Sequence, residues 1–165
     1  MSQLDKETRL KVSLCKELGG EPSLKRIGER DYIVQCSLGG LKITIPTFEF
    51  ITEAEYNEFV YKNVDELLQE LKGAKSYKVD ANKIIQRIQK GEAIAPLYVE
   101  FDEATGKFVE GPPKALLAFL KNKGITEVPV IIRHVVIDAR GTRTRVPIEG
   151  GIADLLRKLQ TDKKL

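Results

Sequence analysis

An α+β fold is what this sequence predicts, and three observations predict it. Two apolar runs, residues 31–37 and 41–46, flank Leu38-Gly39-Gly40, which reads as a short hairpin connection. From residue 77 onward, helical stretches alternate with strands rich in Val and Ile, and glycines punctuate them. The chain has 165 residues, enough for one buried core, and its 42% hydrophobic and 31% charged residues set disordered and fibrous classes aside.

Several function classes drop out at once. No apolar run reaches the roughly 18 residues that a membrane span needs. The opening Met1-Ser2-Gln3-Leu4-Asp5-Lys6-Glu7 is charged and has no apolar block, so no signal peptide is expected and the location read is cytoplasmic. Cys15 and Cys36 lack C-x-x-C spacing, and there is one histidine, so no zinc site and no metal ligand set is expected. His134 shares a strand face with Val130, Ile132 and Val136, which reads as a core or half-buried position rather than a catalytic base.

Taken in order, residues 4–18 read as a helix, with Leu4, Leu10, Leu14 and Leu18 at helical spacing and Gly19-Gly20 as the stop. Glu21-Pro22-Ser23 reads as a turn. In the strand that follows the hairpin connection, Leu41, Ile43 and Ile45 share one face while Lys42 and Thr44 share the other. Cys15 on the helix and Cys36 in a strand are expected to be small core residues rather than redox groups. Thr52-Glu53-Ala54-Glu55 has the form of a capping box, and helical spacing is expected to continue through Phe59. Asn63 can cap a further helix ending near Gly73.

Residues 77–80 read as a short strand, with Asp80 capping a helix over 81–90 that buries Ile84, Ile85 and Ile88 and stops at Gly91. A strand over 94–101, a turn over 102–106 and a second strand over 107–110 follow. Gly111-Pro112-Pro113 leads into a helix over 114–123, ended by Gly124. The longest strand covers 128–138, and Ala139-Arg140-Gly141 turns it into 142–148. A helix over 152–159 comes last.

Charge is divided unevenly. Residues 1–80 carry 12 basic and 14 acidic side chains, and residues 81–165 carry 15 and 10. Seven acidic groups lie between Glu49 and Glu70, against Lys62 alone, so that segment would repel a polyanion. A phosphate-bearing partner is expected on the second half, where Arg143 and Arg145 project from one strand face with Arg140 at the turn beside them. The alternative for these arginines is a solvated edge that blocks strand-to-strand aggregation.

One stretch carries a resemblance. Gly91-Glu92-Ala93-Ile94-Ala95-Pro96-Leu97-Tyr98-Val99, then Phe108-Val109-Glu110-Gly111-Pro112-Pro113-Lys114, then Gly124-Ile125-Thr126-Glu127-Val128-Pro129-Val130 follow the element order of the ParB/sulfiredoxin-like superfamily. The resemblance implies a ParB/sulfiredoxin-like domain over residues 76–165, with residues 1–75 as an N-terminal helix and β-hairpin extension. It also implies a phosphate-handling turn at the start of the helix that follows the second strand. Glu110 stands at the acidic position of that turn, Gly111 matches, and Lys114 replaces an arginine. Pro112 stands where a sulfiredoxin has its reactive cysteine, so sulfiredoxin chemistry is not expected. The two prolines remove two N–H donors, and they also suit a rigid helix start with no ligand at all.

The expectation is therefore a nucleic-acid or nucleotide phosphate-binding protein, with DNA foremost, using Glu110, Gly111, Lys114, Arg140, Arg143 and Arg145. The alternative is a nucleotide-dependent or metal-dependent enzyme on the same fold (nuclease, ATPase or small-molecule kinase), with a nucleotide and Mg2+ as cofactor and no catalytic residue assigned. The acidic N-terminal half is a candidate surface for a second copy or a protein partner.

Overall fold

A computed structural model of the chain describes residues 5–29, 31–46 and 54–161. Helix α1 spans Lys6–Glu17 and begins at Asp5, whose carboxylate accepts a hydrogen bond from the Thr8 amide at 2.6 Å. That bond satisfies one of the N–H groups a helix start leaves unpaired. Leu10, Leu14 and Cys15 are buried, and Gly19, at φ +83°, turns the chain out of the helix. Leu4 lies outside the described residues.

Strands β1 (Glu21–Arg26), β2 (Tyr32–Leu38) and β3 (Leu41–Thr44) form an antiparallel sheet in the order β1-β2-β3. The expected turn at Glu21-Pro22-Ser23 is instead the start of β1, an edge strand where proline's missing N–H costs no ladder bond. The β2–β3 connection is as expected: Gly39 and Gly40 both have positive φ, as a two-residue primed turn demands. Cys15 and Cys36 are not free core thiols but a disulfide, with Cα atoms 5.7 Å apart. The bond forms because α1 lies across β2 and brings the two buried positions together.

A single 3-10 turn at Ala54–Tyr56 leads into β4 (Asn57–Asn63). Here the structure corrects the expectation of a helix through Phe59; Thr52 and Glu53 of the capping-box pattern lie outside the described residues. Phe59, Val60 and Tyr61 suit a pleated surface, and β4 pairs with β8 (Glu127–Ile137) from Asn57↔Arg133 to Asn63↔Glu127. Asn63 then caps α2 (Val64–Glu70), accepting from the Glu66 amide at 3.1 Å. Next come β5 (Lys75–Ser76), α3 (Ala81–Gln89) capped by Asp80, β6 (Leu97–Asp102), β7 (Lys107–Gly111) and α4 (Lys114–Asn122). β9 (Arg143–Arg145) and α5 (Gly151–Thr161) follow β8.

Among the described residues the larger sheet has the order β4-β8-β6-β7-β5, with β9 added to the far end of β8. β6 runs parallel to β8, and the connection between them is the β6–β7 hairpin followed by α4. One hydrophobic core joins both sheets. It contains Leu10, Leu14, Val34 and Ile43 from the first layer and Leu116, Leu117, Leu120, Val99 and Val130 from the second. The layers also share backbone bonds: Thr44 donates to the Ile94 carbonyl and Ile94 donates to the Lys42 carbonyl, both at 2.9 Å. These bonds fix residues 94–96 in front of β6, which is where the candidate site opens. None of the helices is long and apolar enough to cross a membrane among the described residues.

Candidate functional site: a tyrosine-walled cleft over the central strands

A cleft of about 390 Å³ lies between the segment leading into α3, the loop ahead of β6, and the strands β6, β7 and β8. That size falls within the range of pockets for small organic ligands. Val79, Ile84 and Pro96 give it apolar walls, and its polar groups come from Tyr77, Tyr98, Glu100, Glu110, Arg87 and Arg133.

Each polar group has a structural reason to be there. Tyr77 follows β5, and its amide donates to the Gly111 carbonyl at 3.0 Å, which extends the β5–β7 pairing by one bond. Burial pushes its phenol up to about 12, against the opposing effect of a hydrogen bond with the Tyr98 backbone, so it stays protonated at neutral pH. Tyr98 is also raised by burial, and the nearby Arg133 charge opposes that rise. The Arg133 guanidinium sits 4.4 Å from the centre of the Tyr98 ring, within cation–π range. No carboxylate of the described residues forms an ion pair with Arg133. Arg87, by contrast, pairs with Glu92 at 3.6 Å.

Glu100 and Glu110 are direct partners across the β6–β7 ladder. Two carboxylates side by side repel, and Arg143 from β9 sits against both, with its Nε 2.6 Å from a Glu100 oxygen and its Nη2 3.8 Å from a Glu110 oxygen. The hydrogen bond to Glu100, and then the charge of Glu110, hold this guanidinium above its usual range.

The residues expected to bind phosphate therefore divide. Glu110 lines the cleft, and Arg143 braces it from outside the lining. Gly111 ends β7 in tight packing: a Cβ there would come within 2.7 Å of the Leu71 side chain, which is itself buried. Glycine at this position is thus explained by the neighbour it touches. Lys114 is exposed at the first turn of α4, whose N-cap, Pro113, supplies no side-chain bond. Arg140 is exposed in the β8–β9 turn, where its amide donates to Asp138 at 2.9 Å. The Arg145 guanidinium lies 5.6 Å from the centre of the Tyr56 ring. Lys114, Arg140 and Arg145 are not among the residues that line the cleft. Tyr77, Tyr98 and Arg133 are the site residues that the motif reading passed over. The signal available for them was modest: Tyr98 and Glu100 fall two apart on β6, and Arg133 with His134 interrupts the apolar run of β8.

His134 is buried on β8 with a carboxylate at each ring nitrogen, Glu103 at 2.6 Å from Nδ1 and Glu58 at Nε2. A neutral imidazole has one N–H, so both contacts are hydrogen bonds only when the group holds a second proton, on the ring or on one of the carboxyls. The three side chains join β4, β8 and the β6–β7 turn. Among the described residues no group of three or more His, Cys, Asp or Glu side chains is placed to hold a metal ion.

No protein-family profile, no curated protein and no solved structure matches this chain.

Proposed function

We propose that the protein binds a nucleotide, and that the ligand enters the tyrosine-walled cleft as a small molecule. The observation that carries this reading is Arg133: a guanidinium on an aromatic face, at a cleft of fitting size with apolar walls, in no ion pair with a carboxylate of the described residues. A phosphate answers that charge, and a base finds apolar and aromatic surface beside it. The arginine hairpin is the weaker candidate for a nucleic-acid backbone, since Arg143 is already engaged by two carboxylates. The ParB/sulfiredoxin-like assignment of residues 76–165 belongs to the same proposal. It is supported by the order β6, β7, α4, β8 with β6 parallel to β8.

Calorimetric titration with nucleoside mono-, di- and triphosphates tests the reading, with mixed-sequence DNA and RNA as the comparison. Saturable binding of at least one nucleotide is expected, weakened tenfold or more by Arg133→Ala. Absence of nucleotide binding at millimolar concentration overturns it, and salt-sensitive binding of the nucleic acids alone would move the function to the basic surface.

A further inference from the structure

We infer that the cleft selects ribonucleotides over deoxyribonucleotides, with Glu100 and Glu110 accepting hydrogen bonds from the two ribose hydroxyls; this rests on the nucleotide reading above. A row of three charged side chains runs across three adjacent strands. Arg133 of β8 is the register partner of Glu100 on β6, and Glu100 is the register partner of Glu110 on β7. All three line the cleft. Neighbouring strands are roughly 5 Å apart, so the backbone position of the cation is followed by that of one carboxylate about 5 Å away and that of a second about 10 Å away.

An ionised carboxylate only accepts hydrogen bonds. Arg143 approaches one oxygen of each, Oε1 of Glu100 and Oε2 of Glu110, which leaves Glu100 Oε2 and Glu110 Oε1 for a ligand. Its charge also offsets the repulsion between the two carboxylates. A ligand in the cleft must therefore bring an anion to the Arg133 end and a pair of donors to the glutamate end. A 5′-phosphorylated ribose carries its phosphate and its vicinal diol in that order, at opposite ends of the sugar. The phosphate cannot take the other end, where like charge repels it.

The experiment compares each of the four ribonucleoside 5′-monophosphates with its 2′-deoxy and 2′,3′-dideoxy counterpart, by calorimetry on the full chain. The ribo form of the preferred base is expected to bind about tenfold more tightly than the 2′-deoxy form, and more tightly still than the dideoxy form. Glu110→Ala and Glu100→Ala are each expected to bring the ribo-to-deoxy ratio close to one, while the circular dichroism spectrum stays that of the folded protein. Equal affinity of ribo and deoxy forms for the unaltered protein overturns this inference and leaves the nucleotide reading standing. So does a ratio that survives both variants. Failure of every nucleotide to bind overturns both.

Discussion

The two sheets of this molecule are held by different means. In the larger one, β8 is hydrogen-bonded on both sides, to β4 over 127–133, to β6 over 130–135 and to β9 over 135–137. Most of its residues are buried, and a one-residue slip would bring side chains such as Arg133 to the buried face. In the smaller sheet, β1 is an edge with no residue fully buried, and Leu24 and Ile27 stand 41% and 60% exposed at or beside it. That sheet is tied down by its inner face and by Cys15–Cys36. The contrast teaches where each kind of constraint is used: dense pairing under the cleft, and a covalent link where the strands are few.

The contrast can be broken most forcefully at the disulfide. Replacing both cysteines by serine releases a closed loop of 21 residues and is expected to cost about 3 kcal/mol in urea denaturation. Because one core runs through both layers, hydrogen exchange should show that loss in the amides of β8 as well as β2. Loss confined to β1, β2 and β3 would show that the layers unfold separately.

Alkali sharpens the other side. Below pH 10 the Tyr77 phenol is protonated in folded and unfolded chains alike; between about 10 and 12 only the folded chain keeps the proton. Stability is therefore expected to fall across that window, by about 2 kcal/mol from this group, and Tyr77→Phe should flatten the fall. An unchanged pH profile in the variant would remove Tyr77 from the account.

The smallest effect is at the entrance to α1. Hydrogen bonds from Thr8 hold the Asp5 carboxylate below its usual range, and Asp5→Ala is expected to cost about 1 kcal/mol by thermal denaturation. The stability this cap contributes is present above the ordinary aspartate range and is lost as pH falls through the lowered value.

What could be read from residues alone was mostly local. Asn63 and Asp80 are the helix caps they were expected to be, because capping depends on neighbours two or three positions away. The hairpin at Gly39-Gly40 and the β6–β7–α4–β8 order also follow from nearby glycines and apolar alternation. β4 was misread because the stretch around Phe59 also meets helical spacing, and its true partner, β8, lies some 70 residues further on in the chain. The disulfide was hidden for the same reason: Cys15 and Cys36 meet only through the docking of α1 on β2. Tyr77, Tyr98 and Arg133 reach the cleft from three separate segments, and no motif joins them.

Two cysteines admit one intramolecular pairing, so oxidation of a monomer has no wrong bond to choose and no isomerase is needed to correct it. Docking of the first helix on its strand holds the two thiols together and so speeds closure over that of the unfolded loop, and thiol titration during refolding reports when it happens. The same titration on protein taken from cells would report whether its surroundings are oxidising enough to keep the link, as few cytosols are outside hyperthermophiles.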